Sequence, residues 1–199
     1  AKENIFNVLN GYMDFEDASA LDLFAGTGSI TLEMLSRGCA DVTSVEMDRD
    51  HAAFIRECMT KLDTKDNILI RGDVFRFVKS CRQQYDFIFA DPPYALKELP
   101  QIPDLVLQKG ILKEDGIFVF EHGKDHDFSN HPNFIEHRQY GSVNFTLFRA
   151  TAKTNERYST TNARQTLDIR AWGGLPMPPT VLHHAGRYAS CARRCLRHR

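Results

Sequence analysis

The sequence predicts an α/β fold: a three-layer, mostly parallel sheet that ends in an antiparallel β-hairpin. Three observations predict it. Short apolar runs of strand length alternate with helical patterns from Ala20 to Glu121, the spacing of parallel βαβ units. Those runs are continuous and rich in Val, Ile, Leu and Phe, as strands covered on both faces must be. After Glu121 the alternation stops. Phe134–Tyr140 and Val143–Arg149 are then two strand-like runs joined by Gly141-Ser142, a pair suited to a hairpin turn.

The elements follow in order. Ile5, Phe6, Val8 and Leu9 form a helical stripe at the very start, with no cap before it, so the chain is expected to begin inside or just ahead of a helix. Strands are predicted at Ala20–Phe24, Asp41–Glu46, Asn67–Ile70, Phe87–Ala90 and Gly116–Glu121. Helices are predicted at Ile30–Ser36, His51–Leu62, Val74–Cys81 and Leu99–Gln108. From Thr151 periodicity is lost, Pro and Gly cluster at 172–179, and Arg187, Arg193, Arg194, Arg197 and Arg199 follow. Residues 1–150 therefore read as one domain, and residues 151–199 as a basic tail, either disordered or non-native, or else a phosphate-binding extension.

Charge and composition exclude several classes. The 199 residues carry 25 Lys and Arg against 26 Asp and Glu, but residues 1–150 sum to −8 and the remainder to +7. No apolar run reaches the ~18–20 residues of a membrane helix, and no signal-peptide pattern is present. Five scattered cysteines without CxxC spacing read as free thiols in a reducing cytoplasm. The eight histidines form no metal or triad pattern, and His122 with His126 reads as loop surface. No metal and no membrane partner are expected.

Chemistry concentrates at the ends of the predicted strands, where open α/β sheets bind ligands. The first strand runs into Asp22-Leu23-Phe24-Ala25-Gly26-Thr27-Gly28, whose glycines allow a tight turn and a close backbone approach to a ligand. Thr31 stands where a dinucleotide fingerprint has its third glycine. Glu46, 18 residues past Gly28, ends the second strand and is placed to hold ribose hydroxyls, or else is a solvated strand end. Asp73, followed by Val74, is placed to accept from an adenine amine; it is equally a helix N-cap, and the two roles are compatible. The fourth strand ends in Asp91-Pro92-Pro93-Tyr94. Two prolines fix the backbone and remove N–H donors, so a carboxylate and a carbonyl stand together as acceptors for a planar amine. An aromatic ring three residues on can stack on a base. The competing reading is a rigid surface turn.

Together, DLFAGTGS, VEMD, GD and DPPY resemble the S-adenosylmethionine-dependent Rossmann-like methyltransferases that act on amino groups. The resemblance is closest to the RsmD-type 16S rRNA (guanine-N2)-methyltransferases. It spans about Lys2 to Arg149 and includes KENIFNVL ahead of the first strand and LEMLSRG in the first helix. It implies the strand order 3-2-1-4-5-7-6 and S-adenosylmethionine as cofactor. It places Asp22 and the turn Phe24, Ala25, Gly26, Thr27 and Gly28 on the methionine part, Glu46 and Met47 at the ribose, and Asp73 and Val74 at the adenine. Asp91, Pro92 and Tyr94 would be catalytic, with Asp91, Pro93 and Tyr94 holding the target base. It also implies a cytoplasmic, monomeric enzyme whose partner is rRNA in the small ribosomal subunit or an assembly intermediate. The family's basic segment before the first helix is not found here, and its absence is an expected source of the acidic body. Rival readings are an amino-methyltransferase acting on adenine in DNA or on a protein glutamine amide, a nicotinamide-dependent dehydrogenase, and an inactive cofactor-binding module.

Overall fold

The computed structural model describes residues 2–150; the basic tail from Thr151 lies outside the described residues. Seven strands form one sheet: β1 (Ser19–Leu23), β2 (Asp41–Glu46), β3 (Asn67–Arg71), β4 (Tyr85–Ala90), β5 (Leu112–His122), β6 (Phe134–Tyr140) and β7 (Val143–Arg149). Their order is β3-β2-β1-β4-β5-β7-β6. The first five are parallel, and β7 pairs antiparallel with both β5 and β6. The hairpin turns at Gly141-Ser142 as the sequence predicts, with Tyr140 opposite Val143 and Gly141 in the left-handed region.

Alternate residues of each strand feed two separate cores, which makes the three layers. On one face Ala20, Phe87, Phe89, Val119 and Phe145 pack against α1 (Lys2–Leu9), α2 (Ser29–Ser36) and α3 (Arg49–Leu62). On the other, Leu21, Ile88, Phe118, Phe120 and Phe148 pack against α4 (Val74–Ser80) and α5 (Ile102–Lys109). Both faces of the central strands are buried, so those strands show runs of apolar residues without polar alternation.

Several boundaries differ from the sequence reading, for local reasons. Phe24 does not extend β1; it sits at φ 61°, in the left-handed region, and opens the turn. Helix α3 starts at Arg49, because the Asp48 side chain accepts from the N–H groups of Asp50 and His51, both at 2.9 Å. The helix predicted over Leu99–Gln108 is split into a 3-10 turn (Leu99–Gln101) and α5. Strand β5 begins four residues early, its register with β4 shifting between Tyr85 and Phe87. His122 is not loop surface. It closes β5, is 1 % exposed, and its ring contacts the Thr146 hydroxyl and the Gly123 carbonyl.

Candidate active site

A cavity of about 660 Å³ opens at the carboxyl ends of the parallel strands. Of the 14 residues singled out in the sequence, 13 line it. Gly28 is the exception: it lies outside the lining, at φ 79°, and a Cβ there would stand 2.8 Å from Ile55 Cγ1. Its missing side chain admits α3 rather than a ligand.

The turn after β1 is held by its neighbours. Phe24, Gly26 and Gly28 all have positive φ, and a non-glycine residue in that region costs ~1–3 kcal/mol, a strain typical of ligand sites. The Gly26 N–H donates to Glu46 Oε2 at 2.6 Å, and the Asp48 N–H donates to Glu46 Oε1 at 2.7 Å. Glu46 is thereby fixed in one orientation at the end of β2. The Gly72 N–H bonds to the Glu46 carbonyl at 3.0 Å and sets Asp73 beside it. Asp73 caps α4 through one oxygen, Oδ1, which accepts from the Arg76 N–H at 2.8 Å. The cap role and a ligand role use different oxygens. Met47, 68 % exposed, stands at the rim.

At the floor, Asp22 is 1 % exposed. Its Oδ2 accepts from both the N–H and the hydroxyl of Thr31, at 2.9 and 2.6 Å. This bond explains why Thr31 replaces a glycine, and it means that this helix-terminal N–H is not free for a ligand. Burial pushes the Asp22 carboxyl up to about 7, against the Thr31 bonds and the charge of Lys2.

At the other end of the cavity, Asp91 leaves β4 with its Oδ2 2.9 Å from Lys2 Nζ. The Pro93 carbonyl accepts from the Leu96 N–H and closes the turn, while the Pro92 carbonyl takes no N–H among the described residues. Tyr94 is 46 % exposed, packs beside Gly123, and donates its hydroxyl to Glu121 Oε1 at 3.1 Å.

Two residues of this group were missed in the sequence. Lys2 lies four residues before Phe6 and three before Ile5, so a cation occupies the apolar stripe of α1; that spacing is the signal. Burial disfavours its ammonium, but the charge and bond of Asp91 together with the charges of Glu121 and Asp22 outweigh it and raise its pKa. Glu121 has the inward parity of Ile117 and Val119 at the end of β5. Among the described residues, no group of His, Cys, Asp and Glu is arranged to hold a metal ion, and no helix is long and apolar enough to cross a membrane.

Residues 1–149 match the family described as conserved hypothetical protein 95. The chain belongs to that family. It comprises the RsmD-type methyltransferases that the motifs resemble, within the S-adenosylmethionine-dependent Rossmann-like superfamily. The YlbH protein of Bacillus subtilis (strain 168) is 33 % identical over 128 residues, covering 62 % of this chain and 68 % of its own. Ribosomal RNA small subunit methyltransferase D of Escherichia coli (strain K12) is 27 % identical over 155 residues, 76 % of this chain and 77 % of its own. The structure of the yhhF protein of Escherichia coli superposes with a TM-score of 0.68 at 25 % identity, covering 76 % of this chain and 85 % of its own.

The residues present fit S-adenosylmethionine. A buried carboxylate at the cavity floor, Asp22, calls for a cation, and the ligand brings an ammonium and a sulfonium. Without it, Asp22 makes folding pH-sensitive. The folded state holds the proton up to about pH 7 whereas the unfolded chain releases it near pH 4, so this group's contribution to stability falls as pH rises between the two. Asp22→Asn should therefore melt above the wild type at pH 8, the gap closing toward pH 4; equal melting temperatures throughout would contradict this. In Glu46→Ala, affinity for S-adenosylhomocysteine should fall about 10–100-fold, the scale of hydrogen bonds to a charged group. Calorimetric titration measures it, and an unchanged Kd would contradict the ribose role expected for Glu46.

Proposed function

We propose that this chain methylates the exocyclic N2 amine of a guanine in small-subunit (16S) rRNA. One observation carries the reading: the Asp91-Pro92-Pro93-Tyr94 segment opens into the same cavity as Glu46 and Asp73. An amine-binding end and a nucleoside-binding end therefore face one another across one space. S-adenosylmethionine supplies an electrophilic methyl group and leaves as S-adenosylhomocysteine.

The chain's own residues do the rest. A guanine amine is a poor nucleophile because its lone pair is delocalised into the ring. Accepting its hydrogens at the Asp91 carboxylate and the Pro92 carbonyl favours a pyramidal nitrogen and directs its lone pair at the methyl group. Tyr94 stacks on the base, which must be unstacked or single-stranded to reach it. Positioning and fixed dipoles supply most of the rate gain. Asp22 and the Phe24–Gly28 segment hold the methionine part, with Gly28 acting through packing. The domain assignment to residues 1–150, a monomeric state and a cytoplasmic location belong to the same proposal.

The test is transfer of labelled methyl groups to small ribosomal subunits from a strain lacking the guanine methylase, with the product nucleoside identified by mass. N2-methylguanosine is the expected product. Label in another nucleoside would move the target, and stabilisation by NADH but not by S-adenosylhomocysteine would revive the dehydrogenase reading.

A further inference from the structure

We propose that Glu121 is a positioning residue of the transfer site, whose carboxyl group anchors the Tyr94 ring and takes over from Asp91 the proton that the target amine sheds. The inference rests on the amine-methylation reading above.

Strands β4 and β5 are parallel neighbours with Ala90 opposite Phe120, so Asp91 and Glu121 are the next residues on each, side by side. Both point to the face that carries Phe89 and Val119. Glu121 is 6 % exposed. One of its oxygens takes the Tyr94 hydroxyl; the other, Oε2, is sealed from solvent and has no hydrogen-bond partner. A buried carboxylate oxygen without a partner is costly, and two adjacent carboxylates in such a place do not both ionise freely. A proton on the Glu121 carboxyl relieves both problems.

The groups facing Glu121 are few. Asp91 and Tyr94 reach it from the segment after β4, and the Lys2 cation from α1. On β7 its partner is Phe145, which is apolar, and His122 lies on the opposite face of the sheet. Burial first, and then the Asp91 charge, push the Glu121 carboxyl up to about 7, against the pull of Lys2 and Tyr94.

During transfer the amine nitrogen forms its bond to the methyl carbon with its own lone pair. The carbon–sulfur bond breaks and leaves its electron pair on sulfur. The positive charge passes to nitrogen, which then releases a proton. Asp91 accepts that proton, and Glu121 stores it until solvent reaches the site on product release. Without Glu121, Asp91 would hold the proton beside a departing product.

Glu121→Gln is the informative variant, because its amide oxygen still accepts from Tyr94 while the side chain no longer takes up a proton. Single-turnover transfer from pH 5.5 to 9 should show an inflection near 7 in the wild type. In Glu121→Gln the inflection should vanish and the rate fall by about 10–100-fold. Tyr94→Phe should keep the inflection. A Glu121→Gln profile that superimposes on the wild type would reduce Glu121 to a mechanical support and overturn the proposal. A second readout needs no acceptor: carbon-13 NMR of glutamate carboxyls in the full chain. The Glu121 resonance should titrate near 7 and move down in Asp91→Asn, where Lys2 is left facing Glu121. A midpoint in the ordinary carboxylate range, indifferent to Asp91→Asn, would also overturn it. Failure of the guanine-N2 reading shows separately, in the mass of the methylated nucleoside.

Discussion

Asp91→Ala should abolish methyl transfer, with a fall of about 10³-fold or more, while S-adenosylhomocysteine still raises the melting temperature nearly as far as in the wild type. The separation follows from the layout of the cavity. Asp91 stands at the end of β4, and the groups assigned to the nucleoside end, Glu46 and Asp73, hang from β2 and from the segment after β3. Glu46 is fixed by the N–H groups of Gly26 and Asp48, and Asp73 by its cap on α4. None of those bonds passes through Asp91. Asp91 bears on Asp22, the residue assigned to the methionine end, through its own charge and through Lys2, which loses its 2.9 Å partner. A change of a few-fold in cofactor affinity is therefore consistent with the assignment. Asp91→Asn keeps an acceptor oxygen and should retain more activity than alanine. Radiolabel transfer alongside thermal shift decides it, and equal loss of transfer and cofactor binding would place Asp91 in the cofactor site.

The alternation of apolar runs with helical patterns gives the five parallel strands and the hairpin, because each strand buries both faces and must be apolar along its length. The motifs locate 13 cavity residues for a related reason: strand ends in an open parallel sheet lie on one rim, so residues distant in sequence share a site. What stayed hidden depends on contacts across the fold. Gly28 reads as ligand-facing until α3 is seen to bring Ile55 against it. Thr31 reads as a defect in a dinucleotide fingerprint until Asp22 is seen beneath it. Lys2 and Glu121 are ordinary charges in the sequence, and only the pairing of β4 with β5 and the docking of α1 place them at one site. His122 reads as loop because Gly123 follows it, yet β7 supplies Thr146 and buries it. Strand register and helix docking are long-range facts, and local pattern does not contain them.

Phe6→Ala should cost about 3–5 kcal/mol of stability, the range for removing a buried phenylalanine. Phe6 is fully buried, with ring centroids of Phe15, Phe87 and Phe89 at 5.5, 5.9 and 6.4 Å. The Arg37 guanidinium lies 4.9 Å from the centre of the Phe6 ring. An eight-residue helix such as α1 does not hold itself together in water; it exists because Ile5, Phe6 and Leu9 are driven into the sheet. Domains of this size are stable by only ~5–15 kcal/mol, so the loss is a large share of the total. A lower urea midpoint with an unchanged slope is the expected signature. The effect should reach the active site, because Lys2 rides on the same stripe of the same helix. Hydrogen exchange along α1 should quicken more than along β4, and transfer activity should fall even at temperatures where the variant stays folded. A loss below about 1 kcal/mol, the range of surface substitutions and mild core changes, would mean that α1 is not anchored by Phe6. An undiminished rate in a clearly destabilised variant would instead detach Lys2 from the chemistry.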